Sequence, residues 1–117
     1  MSEEFRNRVK TFAAGVIRFY IELPKQREEV RVMGKQLLRS GTSVAAHIRE
    51  ASRARSNAEF TSKVGGAIQE ADESSLWLEL LREECAVSGS LTQPLEQESS
   101  ELIAIFTTMI NRTDKEK

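Results

Sequence analysis

An apolar heptad in the third quarter of the chain constrains the fold more than any other feature. Its eight positions are spaced four and three residues apart, and only Ser74 is polar. They are Phe60, Val64, Ala67, Ala71, Ser74, Leu78, Leu81 and Cys85. This spacing puts one stripe along one side of a helix, and such a stripe is buried against partner helices. The heptad therefore predicts a long helix within a helical bundle.

The remainder of the chain also follows a helical period. A length of 117 residues suits one domain with one core. Alternating runs of Val, Ile and Thr bounded by Gly and Pro are absent, so no strand is predicted. We predict an all-α, antiparallel up-down-up-down four-helix bundle over residues 1–117. Its helices are expected at about 3–22, 27–54, 57–87 and 93–112.

The predicted helix ends depend on capping residues. Ser56 and Glu59 have the Ser-x-x-Glu spacing of a capping box at the start of helix 3. Gly89 is predicted to be a left-handed cap that ends helix 3. Thr92 is predicted to cap helix 4, with Pro94 in the first turn, where a missing N–H does no harm.

Charge is distributed unevenly along the chain, although the net charge is only −1. Residues 1–55 hold 12 basic and 6 acidic residues, a net +6, and residues 56–117 hold 5 and 12, a net −7. Either the basic and acidic helices complement each other, or a basic face meets an acidic partner.

Basic residues cluster around the turn between helices 2 and 3, and helix 1 adds Arg6, Arg8 and Lys10. Such clusters bind phosphates with little sequence preference. A pI of about 5.9 and interspersed acidic residues argue against nucleic-acid binding. The candidate nucleic-acid contacts are Arg39, Arg49, Arg53, Arg55 and Lys63.

A second, polar stripe lies beside the apolar stripe on each central helix. On helix 2 it is Gln36, Ser40, Ser43 and His47, and on helix 3 it is Lys63, Glu70 and Trp77, with Gly66 and Glu73 adjoining. A stripe that faced only solvent would not need a tryptophan, so we predict a second interface, between helices or between subunits. The candidate subunit-interface residues are Gln36, Ser43, His47, Glu70, Glu73 and Trp77.

The sequence shows little sign of catalysis. His47-x-x-Glu50 and Glu70-x-x-Glu73 could form a carboxylate/His site between helices 2 and 3, so a metal-dependent enzyme is the alternative hypothesis. Di-iron bundles, however, need a Glu-x-x-His from each of two helices, and this chain has one His and no such motif. We therefore expect no enzyme, no cofactor or metal, and no small-molecule substrate.

The sequence also favours a cytoplasmic protein. Cys85 is the sole cysteine, which excludes a disulfide within the chain and fits a reducing compartment. No signal peptide is visible, and no apolar run approaches the roughly 20 residues of a membrane span. We expect no membrane partner.

Two motifs resemble those of a known family. Residues 41–51 (GTSVAAHIREA), with Gln36 and Arg39, look like the helix 2 signature of the 23S rRNA intervening-sequence proteins. Residues 59–60, 70–73 and 77–81 look like the helix 3 signature of that family. One departure is His47, where the family usually has Asn, and it affects any polar contact made there.

The resemblance implies a left-handed four-helix bundle from bacteria, often assembled as a homopentamer, with no established biochemical role. It transfers no catalytic residue. A related bundle, the accessory protein of diversity-generating retroelements, is a basic pentamer that binds nucleic acid, and the net charge of −1 does not match it. Together with the residue patterns, the resemblance predicts a non-enzymatic homo-oligomer, a pentamer, that acts as an interaction or scaffold protein with RNA or a ribonucleoprotein as partner.

Overall fold

The computed structural model describes residues 1–116 and shows four α-helices joined by short connections. The helices are α1 (Glu3–Glu22), α2 (Glu28–Ser52), α3 (Asn57–Glu83) and α4 (Gly89–Glu116). No strand occurs within this part of the chain. The prediction of an all-α four-helix bundle is therefore confirmed.

Each helix packs on the next in the chain, and α4 also contacts α1. The contacts show that neighbours run antiparallel. Between α2 and α3, Glu50 pairs with Lys63 near the connecting turn, and Ser40 pairs with Ser74 ten residues back along α2. Connections of four or five residues are typical of antiparallel neighbours in a bundle. The bundle is 50 Å long and about 20 Å across.

The predicted heptad forms the α3 part of the core. Seven of its eight residues are buried, and Phe60 is half-buried at the start of the helix. The core stripe of α2 crosses α1 closely at Gly41, where a β-carbon would lie 2.8 Å from both methyl groups of Val16. Glycine at this position lets the two helices approach each other more closely than any larger residue would.

The connection between α3 and α4 differs from the prediction. Helix α3 ends at Glu83, and the left-handed residue is Ala86, with φ of 58°, not Gly89. Cys85 and Val87 are buried on either side of the exposed Ala86, and the Val87 N–H donates to the Leu81 carbonyl at 3.0 Å.

Helix α4 begins four residues earlier than predicted. The Ser88 hydroxyl accepts the Ser90 N–H at 3.3 Å, and the Ser88 carbonyl accepts the Thr92 N–H at 3.2 Å. Ser88 is thus the N-cap, and the prediction that Thr92 caps this helix is wrong. The other predicted cap is present, because Ser56 Oγ accepts the Glu59 N–H at 3.0 Å.

Candidate nucleic-acid interface

An open groove of about 1320 Å³ lies at one end of the bundle, where α1 and the last turns of α2 meet the start of α3. Six basic side chains line it, against two carboxylates, Glu50 and Glu59, among the described residues. The basic residues are Arg6, Lys10, Arg49, Arg53, Arg55 and Lys63.

The two carboxylates neutralise two of these cations. Lys63 Nζ donates to Glu50 Oε2 at 2.7 Å, and this hydrogen bond lowers the pKa of Glu50 from its usual 4.5 and raises that of Lys63 from 10.5. Arg55 Nε lies 4.0 Å from Glu59 Oε2 one helical turn away. Both pairs are exposed, so each contributes little to stability. Their effect is to remove two positive charges from the groove.

The other four cations have no ion-pair partner among the side chains that the structure describes. Arg6 donates to the Met1 carbonyl at 3.0 Å, and Lys10, Arg49 and Arg53 are exposed. The groove therefore carries a net positive charge near +4, in a protein whose overall charge is −1.

The four unpaired cations form two short rows. Arg6 and Lys10 are four residues apart on α1, about 6 Å along its axis, whereas Arg49 lies in the last turn of α2 and Arg53 is the residue that directly follows this helix. Small side chains line the groove beside them, namely Ala13, Thr42, Ala45 and Ala46. The surface therefore offers extended positive charge with little steric obstruction.

The structure places the predicted nucleic-acid contacts in two locations. Arg49, Arg53, Arg55 and Lys63 line the groove together. Arg39 lies about 15 Å further back along α2, where Nη1 is 3.1 Å from Glu70 Oε2 and Nη2 contacts Glu73.

The three cations of helix 1, which the sequence analysis takes together, lie on two different faces of α1. Arg6 and Lys10 join the groove, whereas Arg8 faces α4 and forms a bidentate pair with Glu98 at 2.8 and 2.9 Å. The i, i+4 spacing of Arg6 and Lys10 was the available signal for a shared face.

A second polar surface lies on the outside of the α2–α3 contact, and we call it the α2–α3 flank. It consists of Gln36, Arg39, Ser43, His47, Gly66, Glu70, Glu73 and Trp77. The imidazole of His47 packs on Gly66, and Nδ1–H donates to the Ser43 carbonyl at 2.8 Å, since a carbonyl can only accept.

Part of the predicted polar stripe is an interface between helices. Ser40 is fully buried, and its hydroxyl lies 2.8 Å from that of Ser74, the one polar member of the heptad. Ser74 Oγ also donates to the Glu70 carbonyl at 2.9 Å, so the pair is satisfied in the core.

Trp77 lies at the edge of the flank. Its ring is half-buried and packs against the core. Its Nε1 is covered by the chain itself and has no acceptor among the described residues. Any contact that Trp77 makes beyond this chain must therefore use the ring surface rather than the N–H.

Comparison with known proteins decides the family. The sequence model of the 23S rRNA-intervening sequence proteins matches residues 3–108. The chain belongs to this family. The match spans all of α1, α2 and α3 and most of α4, and thus includes both the groove and the α2–α3 flank. The resemblance noted from residues 41–51 and 59–81 is confirmed.

A solved structure supports the assignment. The chain is similar to a protein of unknown function from the S23 ribosomal protein family of Bacteroides thetaiotaomicron VPI-5482, with 36% identity and a TM-score of 0.80. The similarity covers 90% of this chain and 96% of that protein. Comparison with curated proteins gives no match.

The four side chains of the metal-enzyme hypothesis do not converge in this family member. Glu50 pairs with Lys63, Glu70 and Glu73 pair with Arg39, and His47 contacts Ser43 and Gly66. Within residues 1–116, no group of three His, Cys, Asp or Glu side chains is close enough to hold a metal ion.

No helix in the described part of the chain is both long and apolar enough to span a membrane. Each of the four helices has charged side chains on its outer face and apolar side chains facing the core.

Proposed function

We propose that this protein is a non-enzymatic, homo-oligomeric bundle that binds RNA through the groove at the α2–α3 end. The observation that carries the proposal is the set of four cations, Arg6, Lys10, Arg49 and Arg53, which have no ion-pair partner in the described part of the chain. Unpaired charges in one groove attract a polyanion, because each phosphate that they neutralise releases a counterion.

The form of the groove favours a polymer over a small ligand. At about 1320 Å³ it is larger than typical small-molecule pockets of about 300–1,000 Å³. It is also open, and its charges are spread over three helices rather than focused on one point. The family takes its name from an intervening sequence of 23S rRNA, so RNA is the polyanion that we propose.

We place the subunit interface on the α2–α3 flank and propose a pentamer, the assembly that the resemblance implies. The support is the half-buried ring of Trp77 beside the partly exposed Arg39–Glu70–Glu73 cluster. Partly exposed aromatic and arginine side chains are enriched at protein interfaces. The buried free thiol of Cys85 fits a cytoplasmic location.

RNA binding is tested by fluorescence anisotropy with a labelled hairpin RNA in 50 mM salt. The triple variant Arg49→Ala/Arg53→Ala/Arg55→Ala is expected to bind about ten-fold or more weakly than the wild type. The control is the triple variant Arg18→Ala/Lys35→Ala/Arg112→Ala. It removes the same number of positive charges from residues that do not line the groove, and it should bind as the wild type does. Absence of binding by the wild type at this salt concentration would overturn the proposal.

Assembly is tested separately by light scattering coupled to size-exclusion chromatography. A mass of several times 13.2 kDa at micromolar concentration supports the homo-oligomer, and five times that mass supports the pentamer. A monomer at the same concentration contradicts this part of the proposal and leaves RNA binding to be judged on its own data.

A further inference from the structure

We infer that the groove holds the sugar–phosphate backbone of double-stranded RNA and does not read its sequence. This inference rests on the proposed function and specifies the form of RNA that the groove accepts. It follows from which side chains line the groove, which do not, and where the cations lie.

Aromatic side chains are missing from the groove. The protein has seven aromatic residues, all within the described part of the chain, and none of them is among the lining residues. Three rings, those of Phe5, Phe12 and Phe60, are adjacent in sequence to lining residues, and all three pack in or against the core. Phe60 also lines a separate depression of about 380 Å³. Proteins that bind single strands stack successive bases on aromatic rings, at about 1–3 kcal/mol per base. The groove has no comparable way to hold unpaired bases.

Side chains that read base edges are also scarce. Asn7 is the sole carboxamide lining the groove among residues 1–116. The arginines could read guanine in an open major groove, but the major groove of A-form RNA is too narrow and deep for side chains to enter. In double-stranded RNA, Arg49 and Arg53 can therefore contact the phosphates but not the base edges, and phosphates carry no sequence information.

The four cations lie on or directly beside two neighbouring helices. Arg6 and Lys10 lie on α1, and Arg49 and Arg53 lie at the end of α2; the axes of two closely crossing helices are about 8–10 Å apart. A double helix presents its phosphates in a fixed array, so binding orders the cationic side chains but not the nucleic-acid backbone. A flexible single strand would lose conformational entropy to match the same array, with no stacking to compensate.

The test compares three labelled RNA probes by anisotropy in 50 mM salt with the full-length protein. The first is a 20-base-pair hairpin, the second is a hairpin of equal length and scrambled sequence, and the third is an unstructured 40-nucleotide strand. We expect the two hairpins to bind within about two-fold of each other and the single strand to bind about ten-fold more weakly.

The outcomes separate this inference from the proposed function. A single strand that binds as tightly as the hairpins overturns the inference, as does a difference of about ten-fold between the hairpins, and either result leaves RNA binding intact. If none of the three probes binds, the proposed function itself fails. The variant Arg49→Ala/Arg53→Ala should weaken hairpin binding more than Arg18→Ala/Lys35→Ala, with both variants checked for helicity by circular dichroism. Equal weakening by the two variants places the RNA elsewhere and contradicts the inference.

Discussion

The imidazole of His47 on α2 packs directly on the backbone of Gly66 on α3. A β-carbon at Gly66 would lie 2.4 Å from Cδ2 and 2.7 Å from Nε2 of the ring, inside van der Waals contact. The neighbouring Gly65 has no such contact, because nothing lies within 4 Å of a β-carbon built there. Two adjacent glycines in one helix therefore have different physical roles.

We predict opposite effects for the two alanine substitutions. Gly66→Ala forces the His47 ring to move and is expected to destabilise the protein by about 1–3 kcal/mol. Gly65→Ala meets no obstacle and improves helix propensity, so it is expected to stabilise by up to about 1 kcal/mol. Thermal unfolding at one fixed protein concentration measures both, since assembly would make the midpoint depend on concentration.

A double-mutant cycle attributes the Gly66 effect to the ring. In a His47→Ala background the obstacle is gone, so Gly66→Ala should cost at least about 1 kcal/mol less than in the wild type. If the substitution is equally costly in both backgrounds, the contact between His47 and Gly66 is not the cause.

Ala86 offers a stabilising substitution. Its φ of 58° is a left-handed conformation that an L-residue adopts at a cost and glycine adopts freely. Ala86→Gly is therefore expected to stabilise the protein by about 0.5–1 kcal/mol. The matched control is Ala104→Gly at an exposed position within α4, which should destabilise by about 1 kcal/mol. Two changes of the same sign in chemical denaturation would contradict this explanation.

The Arg82–Glu96 pair predicts a pH dependence of stability. The Arg82 guanidinium donates to both Glu96 oxygens at 2.9 and 3.0 Å and lowers the pKa of Glu96 from its usual 4.5. A lowered carboxyl pKa stabilises the fold above the unfolded value, and this contribution is lost as pH falls through the folded value. Glu96→Gln should thus be less stable than the wild type at pH 7.

The Arg82–Glu96 pair also predicts how the stability difference between the wild type and Glu96→Gln changes with pH. As the pH falls below about 4.5, the gap between the wild type and Glu96→Gln should narrow. Glu28→Gln breaks the exposed Arg31 pair, in which the Glu28 side chain is 69% accessible, and should show a much smaller gap at pH 7. A gap for Glu96→Gln that is constant from pH 7 to pH 3 would show that ionisation of Glu96 is not involved.

Glu50 is predicted to oppose RNA binding. It neutralises Lys63 within the groove, so Glu50→Gln both removes a negative charge and frees a cation. We expect this variant to bind the hairpin about three-fold more tightly at 50 mM salt. Glu83→Gln, a change of equal charge outside the groove, should leave affinity unchanged. Weaker or unchanged binding by Glu50→Gln would argue against electrostatic binding at this location.

The sequence predicts the helices well because their signals are local and repeated. The heptad from Phe60 to Cys85 specified the buried side of α3, since helical spacing alone determines which side chains share a face. The α3–α4 turn differs from its prediction, and it holds two buried side chains, Cys85 and Val87, whose packing in the core is not visible in local sequence. Ala86 between them is the left-handed residue, whereas propensity alone selects Gly89.

The candidate sites could be predicted only in part. Arg49, Arg53 and Arg55 were found together because they are close in sequence. Arg39 shares their helix, but its side chain is paired with Glu70 and Glu73, and this depends on how α3 is aligned beside α2. The contribution of Arg6 and Lys10 likewise depends on which end of α1 lies beside the end of α2. Left-handed supercoiling, the pentamer and the subunit interface stay predictions.

The most direct test of the central claim is the salt dependence of hairpin binding between 50 and 200 mM salt. Four unpaired cations in the groove predict a slope of log K against log salt of about −3 to −4, and Arg49→Ala/Arg53→Ala should reduce it to about −2. Arg18→Ala/Lys35→Ala should retain the wild-type slope. If the slope of Arg49→Ala/Arg53→Ala equals that of the wild type, the groove is not where this protein binds RNA.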